Sequence, residues 1–243
     1  MKAYNITFKP ILPLQNEDES VSMLWDYLEI LVQNGQIMLD YLLLKVEDEF
    51  IATVTLPDDD SLSEKYNNCY INDMLCKIKA VFSVSQPYYI AENTNYDNTC
   101  TCDSPSWYML YADYSTDESP VVCGDCGHEV ALHKLPYIFN EQEYYTLLSW
   151  QQMYQHVHSL WVLCLSDRFT YRQLSNPHSQ LSKLALEIRA ELEEKLKKPV
   201  YYYIYHADKP LNNCPNCNQE WIHSPNIKTV DYICPKCKLA TDK

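Results

Sequence analysis

Cys214-Pro-Asn-Cys217 and Cys234-Pro-Lys-Cys237 are two C-x2-C pairs separated by sixteen residues, the spacing of a zinc ribbon. Each pair can present two thiolates from one tight turn. Two such turns facing each other complete a tetrahedral S4 shell, the arrangement that suits Zn²⁺ in a closed structural site with no open position for catalysis. Asn218 follows the second cysteine of the first turn, where a glycine is common, and asparagine is the next most tolerant residue of the left-handed region. The intervening residues have room for two short strands, Glu220-Trp221-Ile222 and Val230-Asp231-Tyr232-Ile233. So small a module has too little core to fold without its metal.

A second constellation follows the same logic. Cys100-Thr-Cys102 is followed twenty residues later by Cys123-Gly124-Asp125-Cys126-Gly127-His128. The chain has 3 glycines, and two of them fall here, as a knuckle turn that needs positive φ would require. Cys100, Cys102, Cys123 and Cys126 are therefore expected to hold a second structural zinc; His128 and His133 could substitute for a cysteine ligand, but a lone histidine near four cysteines more often lies outside the ligand shell or on the surface. Cys69 and Cys76, seven apart on one predicted helix, and Cys164, in a predicted apolar strand, are expected to be buried small hydrophobes.

The first 90 residues show strands at about 3–9, 37–46, 49–56 and 81–90 and helices at about 20–34 and 62–79. Val21, Leu24, Leu28 and Leu31 recur at helical spacing, and Ile51, Val54 and Leu56 lie in a β-rich run. The order β-α-β-β-α-β predicts an α+β domain of ferredoxin-like type over residues 1–92. A turn-rich stretch from Ala91 to about residue 106 opens a second α+β domain, 93–208, with strands at about 107–114, 160–165 and 200–205 and helices at about 141–156 and 180–197. Residues 209–243 form the ribbon. Trp150 and Tyr154, an i, i+4 pair, are expected to pack a helix on the strand bearing Tyr202. His156 and His158 fall at a predicted helix end and are expected to be solvated.

The protein carries 33 acidic and 19 basic residues, net charge −14, and its arginines are only Arg168, Arg172 and Arg189. Such a surface repels phosphate backbones and attracts basic proteins. The acids cluster as Glu17-Asp18-Glu19, Glu47-Asp48-Glu49 and Asp58-Asp59-Asp60. The first residues lack the apolar core of a secretory signal, and no run approaches the length of a membrane span. A cytoplasmic location is expected, where eleven cysteines are better explained by metal than by disulfides.

The segments Ser119-Pro120-Val-Val-Cys123-Gly-Asp-Cys126, Leu135-Pro136, Trp150 with Tyr154, Leu160-Trp161, Pro199-Val-Tyr-Tyr-Tyr203 and Cys214 through Trp221 to Cys237 resemble a family of bacterial zinc-ribbon-containing proteins of unknown function, for which nucleic-acid binding has been suggested. The likeness covers about residues 105–243 well and the first hundred weakly. It implies metal at both cysteine sets and a cytosolic bacterial setting.

No nucleophile–base motif, H-E-x-x-H or phosphate-binding glycine loop occurs in the chain. The expected function is a non-enzymatic, acidic zinc-binding protein with two structural Zn²⁺ ions that binds a basic protein partner through the three acid clusters. In one concrete form it is an immunity protein or antitoxin that neutralises a toxin by covering its active site. The alternative is a nucleic-acid- or ribosome-associated zinc-ribbon protein, with Lys228, Lys236 and Lys238 on phosphates and Trp221 as a stacking platform.

Overall fold

A computed structural model describes residues 1–207, 212–227 and 230–242, with the side chains of 224–227 excepted. The expected junction to the ribbon at about 209–211 and the expected phosphate contact Lys228 lie outside the described residues. The protein is α+β and divides into two compact units. The first comprises Met1–Thr99, Ala131–Lys134 and Gln142–Tyr144, and the second Cys100–Val130, Leu135–Glu141 and Tyr145–Lys243.

In the first unit the elements run β1 (Lys2–Pro10), α1 (Glu17–Gln33), β2 (Leu42–Val46), β3 (Glu49–Leu56), α2 (Cys69–Val81), β4 (Phe82–Val84) and β5 (Tyr88–Glu92). The sheet order is β2-β3-β1-β4, with β5 also paired to β1 and every pairing antiparallel. The single strand expected at 81–90 is thus two strands on one edge of β1, interrupted before Pro87, which has no N–H to give a ladder. Ser85 bridges the gap. Its backbone N–H donates to the Thr7 carbonyl at 2.9 Å while its side chain accepts from the Thr7 N–H at 2.9 Å.

Leu24, Leu28 and Leu31 line the buried face of α1, as their spacing requires, and Ile71 and Ile78 that of α2. They close over Phe8, Phe50 and Phe82, which meet edge to face with centroids 6.4 Å (Phe8–Phe82) and 5.9 Å (Phe50–Phe82) apart. Both helices are capped by asparagine: Asn16 accepts from the Glu19 N–H and Asn68 from the Ile71 N–H. Cys69 and Cys76 do share a face of α2, but it is the exposed one, because Ile71 and Ile78 occupy the same seven-residue spacing two positions on.

The second unit contains β6 (Tyr108–Leu110), β7 (Val121–Cys123), α3 (Tyr145–Val162), α4 (Asp167–Ser175), α5 (Gln180–Leu196), β8 (Val200–Tyr203), β9 (Ile222–Ile227), β10 (Val230–Cys234) and β11 (Leu239–Thr241). Its six-stranded sheet has the order β7-β6-β8-β11-β10-β9. β8 lies parallel to both β6 and β11, so the ribbon strands continue the sheet that begins at Cys123. Every residue of β8 is buried, the signature of a central strand covered on both faces. Tyr201 and Tyr203 pack with Met109, Val122 and Ala240 on one face. Tyr202 packs against Trp150 on the other, ring centroids 6.1 Å apart.

The strand expected at 160–165 does not form. Those residues finish α3 and turn through left-handed Cys164 and Ser166 into α4, leaving Leu163 and Leu165 exposed. A short apolar run carries no period that separates strand from helix. Cys164 is accordingly exposed rather than buried. His158, expected to be solvated, is buried on α3 beside Tyr154 and Tyr205, while His156 stays exposed.

Candidate metal centres and an acidic groove

Both cysteine clusters contain the same type of backbone turn, the central one once beside the tighter Cys100-Thr-Cys102 pair. At the central site β7 ends in Cys123, whose carbonyl accepts the Gly127 N–H at 2.9 Å and whose N–H reaches the His128 carbonyl at 2.9 Å. At the ribbon the Cys214 carbonyl accepts the Asn218 N–H at 2.9 Å, and the Cys214 N–H reaches the Gln219 carbonyl at 2.8 Å. The residue after the second cysteine is left-handed in all three C-x2-C turns: Gly127 (φ 76°), Asn218 (φ 57°) and Lys238 (φ 55°). Asn218 therefore plays the part its position predicts, whereas Lys238 adopts a conformation that costs an ordinary L-residue about 1–2 kcal/mol through its Cβ. Gly124 has a different reason to be glycine. A Cβ there would come 2.2 Å from the Trp107 ring, which lies flat against the turn.

These turns bring the sulfurs of Cys100, Cys102, Cys123 and Cys126 to within 4.8 Å of one another, and likewise those of Cys214, Cys217, Cys234 and Cys237. Cys217 and Cys234 Sγ are 3.6 Å apart, close to the roughly 3.8 Å edge of a tetrahedron with Zn–S bonds of about 2.3 Å. Backbone N–H groups point at two sulfurs of the central site, Cys102 N–H at Cys100 and Asp125 N–H at Cys123, both at 3.4 Å. Asn216 Nδ2 lies 3.3 Å from Cys237 Sγ. Such donors favour thiolates. At Cys217 the Gln219 backbone N–H, followed by the neighbouring thiols, lowers the pKa to about 7, while burial pushes Cys234 up to about 12. The donor sets fit zinc: the thiolates would close the coordination sphere, and the ion would supply a structural link with no vacant position for substrate. Neither His128 nor His133 joins either set.

The acid clusters separate. Glu17, Asp18 and Glu19 form the first turn of α1, where carboxylates complement the helix N-terminus, and Glu47-Asp48 is the two-residue turn between β2 and β3, with Glu47 left-handed (φ 54°). Glu17, Glu47, Asp48 and Glu49 line one groove of about 560 Å³ together with Lys9–Leu14, Lys45 and Phe50. Within it Glu17 pairs with Lys45 at 2.6 Å and Glu49 with Lys9 at 2.7 Å. Ile11 (56% exposed) and Leu12 (74% exposed) stand open on its wall. Asp18 and Glu19 are not part of the lining.

Asp58, Asp59 and Asp60 lie at the other end of β3, each with its own cation: Asp58 with Lys134 at 2.5 Å, Asp59 with Lys2 at 2.6 Å, Asp60 with Lys65 at 2.5 Å. Burial raises the Asp58 pKa, but the His133 ring, the Lys134 ammonium and the Asp60 side chain beside it outweigh burial and hold the carboxyl well below its usual range. His133, far away in sequence, was not legible as a neighbour of Asp58. Of the basic ribbon residues, Lys236 is exposed, while Lys238 sits over the Tyr201 ring and near Glu193.

Residues 3–90 match the model of one domain of unknown function, DUF8589, and residues 102–205 that of another, DUF2310. An uncharacterised protein of Haemophilus influenzae is 26% identical over 259 residues, spanning 97% of this chain and 96% of its own length. A second uncharacterised protein of the same organism is 24% identical over 165 residues, 63% of this chain and 79% of its own. The chain is thus similar, along both units, to proteins of unknown function. No helix among the described residues is long and apolar enough to cross a membrane.

Proposed function

We propose that this is a non-enzymatic protein, held by two structural zinc ions, that captures a basic segment of another protein in the groove of its first unit. The observation that carries this reading is the convergence of Glu17, Glu47, Asp48 and Glu49 around exposed Ile11 and Leu12. Lys9 and Lys45 set two positive charges against the four carboxylates of the lining, Lys9 facing Asp48 as well as Glu49, which leaves a net negative charge beside an apolar wall. A segment with Lys or Arg flanking an apolar side chain complements both features, charge for encounter rate and the apolar contact for residence. Asp58, Asp59 and Asp60 are left out of this surface, because each is engaged within the unit.

In the concrete form we favour, the bound segment belongs to a toxin whose active site is covered, and the chain acts in a cytoplasm where its thiols stay reduced. The β-α-β-β-α-β order with strand order β2-β3-β1-β4 supports a ferredoxin-like reading of the first unit. The test is affinity capture by the full chain from native lysate with nuclease treatment, comparing wild type with the double variant Glu47→Gln, Asp48→Asn. A stoichiometric basic protein that survives nuclease and is lost with the variant is the expected result. Capture unaffected by the variant, or recovery of RNA or DNA in place of a protein, contradicts it.

A further inference from the structure

His133 ties the segment Ala131–Lys134 to the rest of the first unit, and its ring is fully enclosed, with 0% of the side chain exposed. Both ring nitrogens face acceptors: Nδ1 is 3.1 Å from the Gly35 carbonyl oxygen and Nε2 is 3.3 Å from Asp58 Oδ2. A neutral imidazole has one donor and one acceptor nitrogen, and a carbonyl can only accept. With the proton on Nδ1, the Nε2 lone pair therefore points at a carboxylate, and no hydrogen-bond partner reaches Nε2 among the described residues. Two lone pairs held that close inside a protein call for positive charge, which the Lys134 ammonium beside the same Asp58 oxygen supplies from one side and a second ring proton or a metal ion would supply between them.

Asp60 supplies a third donor to the same point. One ligand atom each from Asp58, Asp60 and His133 lies within 4.8 Å of the others. The loop that carries the acids is fixed by a buried polar network. Gln36 Nε2 donates to the Ser61 carbonyl at 2.8 Å, Ser61 Oγ to the Gln36 carbonyl at 2.8 Å, and Asn34 Nδ2 to the Tyr66 carbonyl at 2.9 Å. Close approach of the histidine segment depends on Gly35, where a Cβ would stand 2.2 Å from Leu132 Cβ. A backbone carbonyl on Nδ1 is also how proteins commonly fix the tautomer of a ligating histidine.

We propose that Asp58, Asp60 and His133 form a third metal site, unlike the sulfur sites in chemistry: one imidazole nitrogen and two carboxylates for a hard-to-borderline divalent cation such as Mn²⁺, with water completing its shell. Lys134 and Lys65 place their ammonium groups 2.5 Å from Asp58 Oδ2 and Asp60 Oδ2, on oxygens the cation would use. Their side chains are 41% and 57% exposed, so each can turn to solvent when metal enters, at the small cost of an exposed ion pair. The two lysines compete with the ion and set its affinity.

The test uses the full chain with its sulfur sites filled with zinc, titrated with Mn²⁺ alone. Loss of the free-ion electron paramagnetic resonance signal measures binding, and paramagnetic broadening in nuclear magnetic resonance spectra locates it. The expected result is one saturable ion with broadening centred on Tyr66 and His133. Asp60→Asn, at a half-exposed position, weakens it by about 10- to 100-fold, and Lys65→Met tightens it roughly two- to fivefold. Lack of saturable binding below roughly 1 mM, the weak end of protein divalent-cation sites, would overturn the site. So would an imidazole that remains doubly protonated at pH 7.5 in excess Mn²⁺, which assigns the charge to a proton, or binding unchanged by Asp60→Asn.

Discussion

Cys217 and Cys234 come from different turns of the ribbon, and their sulfurs stand 3.6 Å apart. Held at that distance they bring the first turn of the ribbon to the end of β10, whose neighbour β11 pairs with β8 in the larger sheet. The Tyr202 N–H donates to the Lys238 carbonyl and the Ile204 N–H to the Ala240 carbonyl, each at 2.8 Å. Removing zinc with a strong chelator is therefore expected to abolish amide-exchange protection in residues 212–227 and 230–241 and to reduce it at Tyr202 and Ile204. Full retention of protection after verified zinc loss would show that the hairpin stands without metal.

Gly124 lies under the Trp107 ring, and an added methyl group would meet ring atoms at 2.2 Å. Gly124→Ala should displace the central knuckle, lowering zinc retention at Cys100, Cys102, Cys123 and Cys126 at least tenfold while the ribbon site is unchanged. Competition with a chromophoric chelator, read separately in a Cys214→Ser background, checks this. Equal retention would mean that the ring moves aside freely.

Trp150 is 0% exposed and meets Tyr202 edge to face, yet its indole N–H has no acceptor among the described residues. Trp150→Ala should cost about 3–5 kcal/mol through lost burial and a cavity. Trp150→Phe should cost less than half as much, since it keeps an aromatic ring and removes the unpaired donor. Urea denaturation of both variants measures the two values, and similar losses would show that the N–H is satisfied in solution.

Burial lowers the His206 pKa from 6.5 to about 4. Between those values the unfolded chain binds a proton that the folded chain does not, so stability is full above pH 6.5 and is lost as pH falls toward 4. His158 is shifted in the same direction by burial, with Asp113 opposing. Denaturation curves at pH 7.5 and 5 should show a smaller loss for His206→Gln than for wild type. A loss equal in the two proteins would assign the acid sensitivity elsewhere, to the thiolates for instance.

Much of this architecture is legible in the chain because local patterns decide it. Leu24, Leu28 and Leu31 announce the buried face of α1, and Cys-x-x-Cys followed by Gly127 or Asn218 announces a knuckle. What was illegible depends on partners distant in sequence. The spacing of Cys69 and Cys76 told that they share a face, but which face of α2 is buried is decided by Ile71 and Ile78 against the sheet. The run 160–165 has strand-like composition, yet it completes a helix whose preceding turns are anchored by Trp150 and Tyr154. His133 meets Asp58 only because the segment 131–134 joins the first unit from a remote part of the chain.

The central claim is that two S4 sites each hold zinc, and native mass spectrometry of the full chain, purified without added metal, tests it most directly. The account predicts two tightly held zinc ions, one lost in Cys123→Ser and the other in Cys234→Ser. A chain without zinc, or one whose zinc content is unmoved by either substitution, would contradict it.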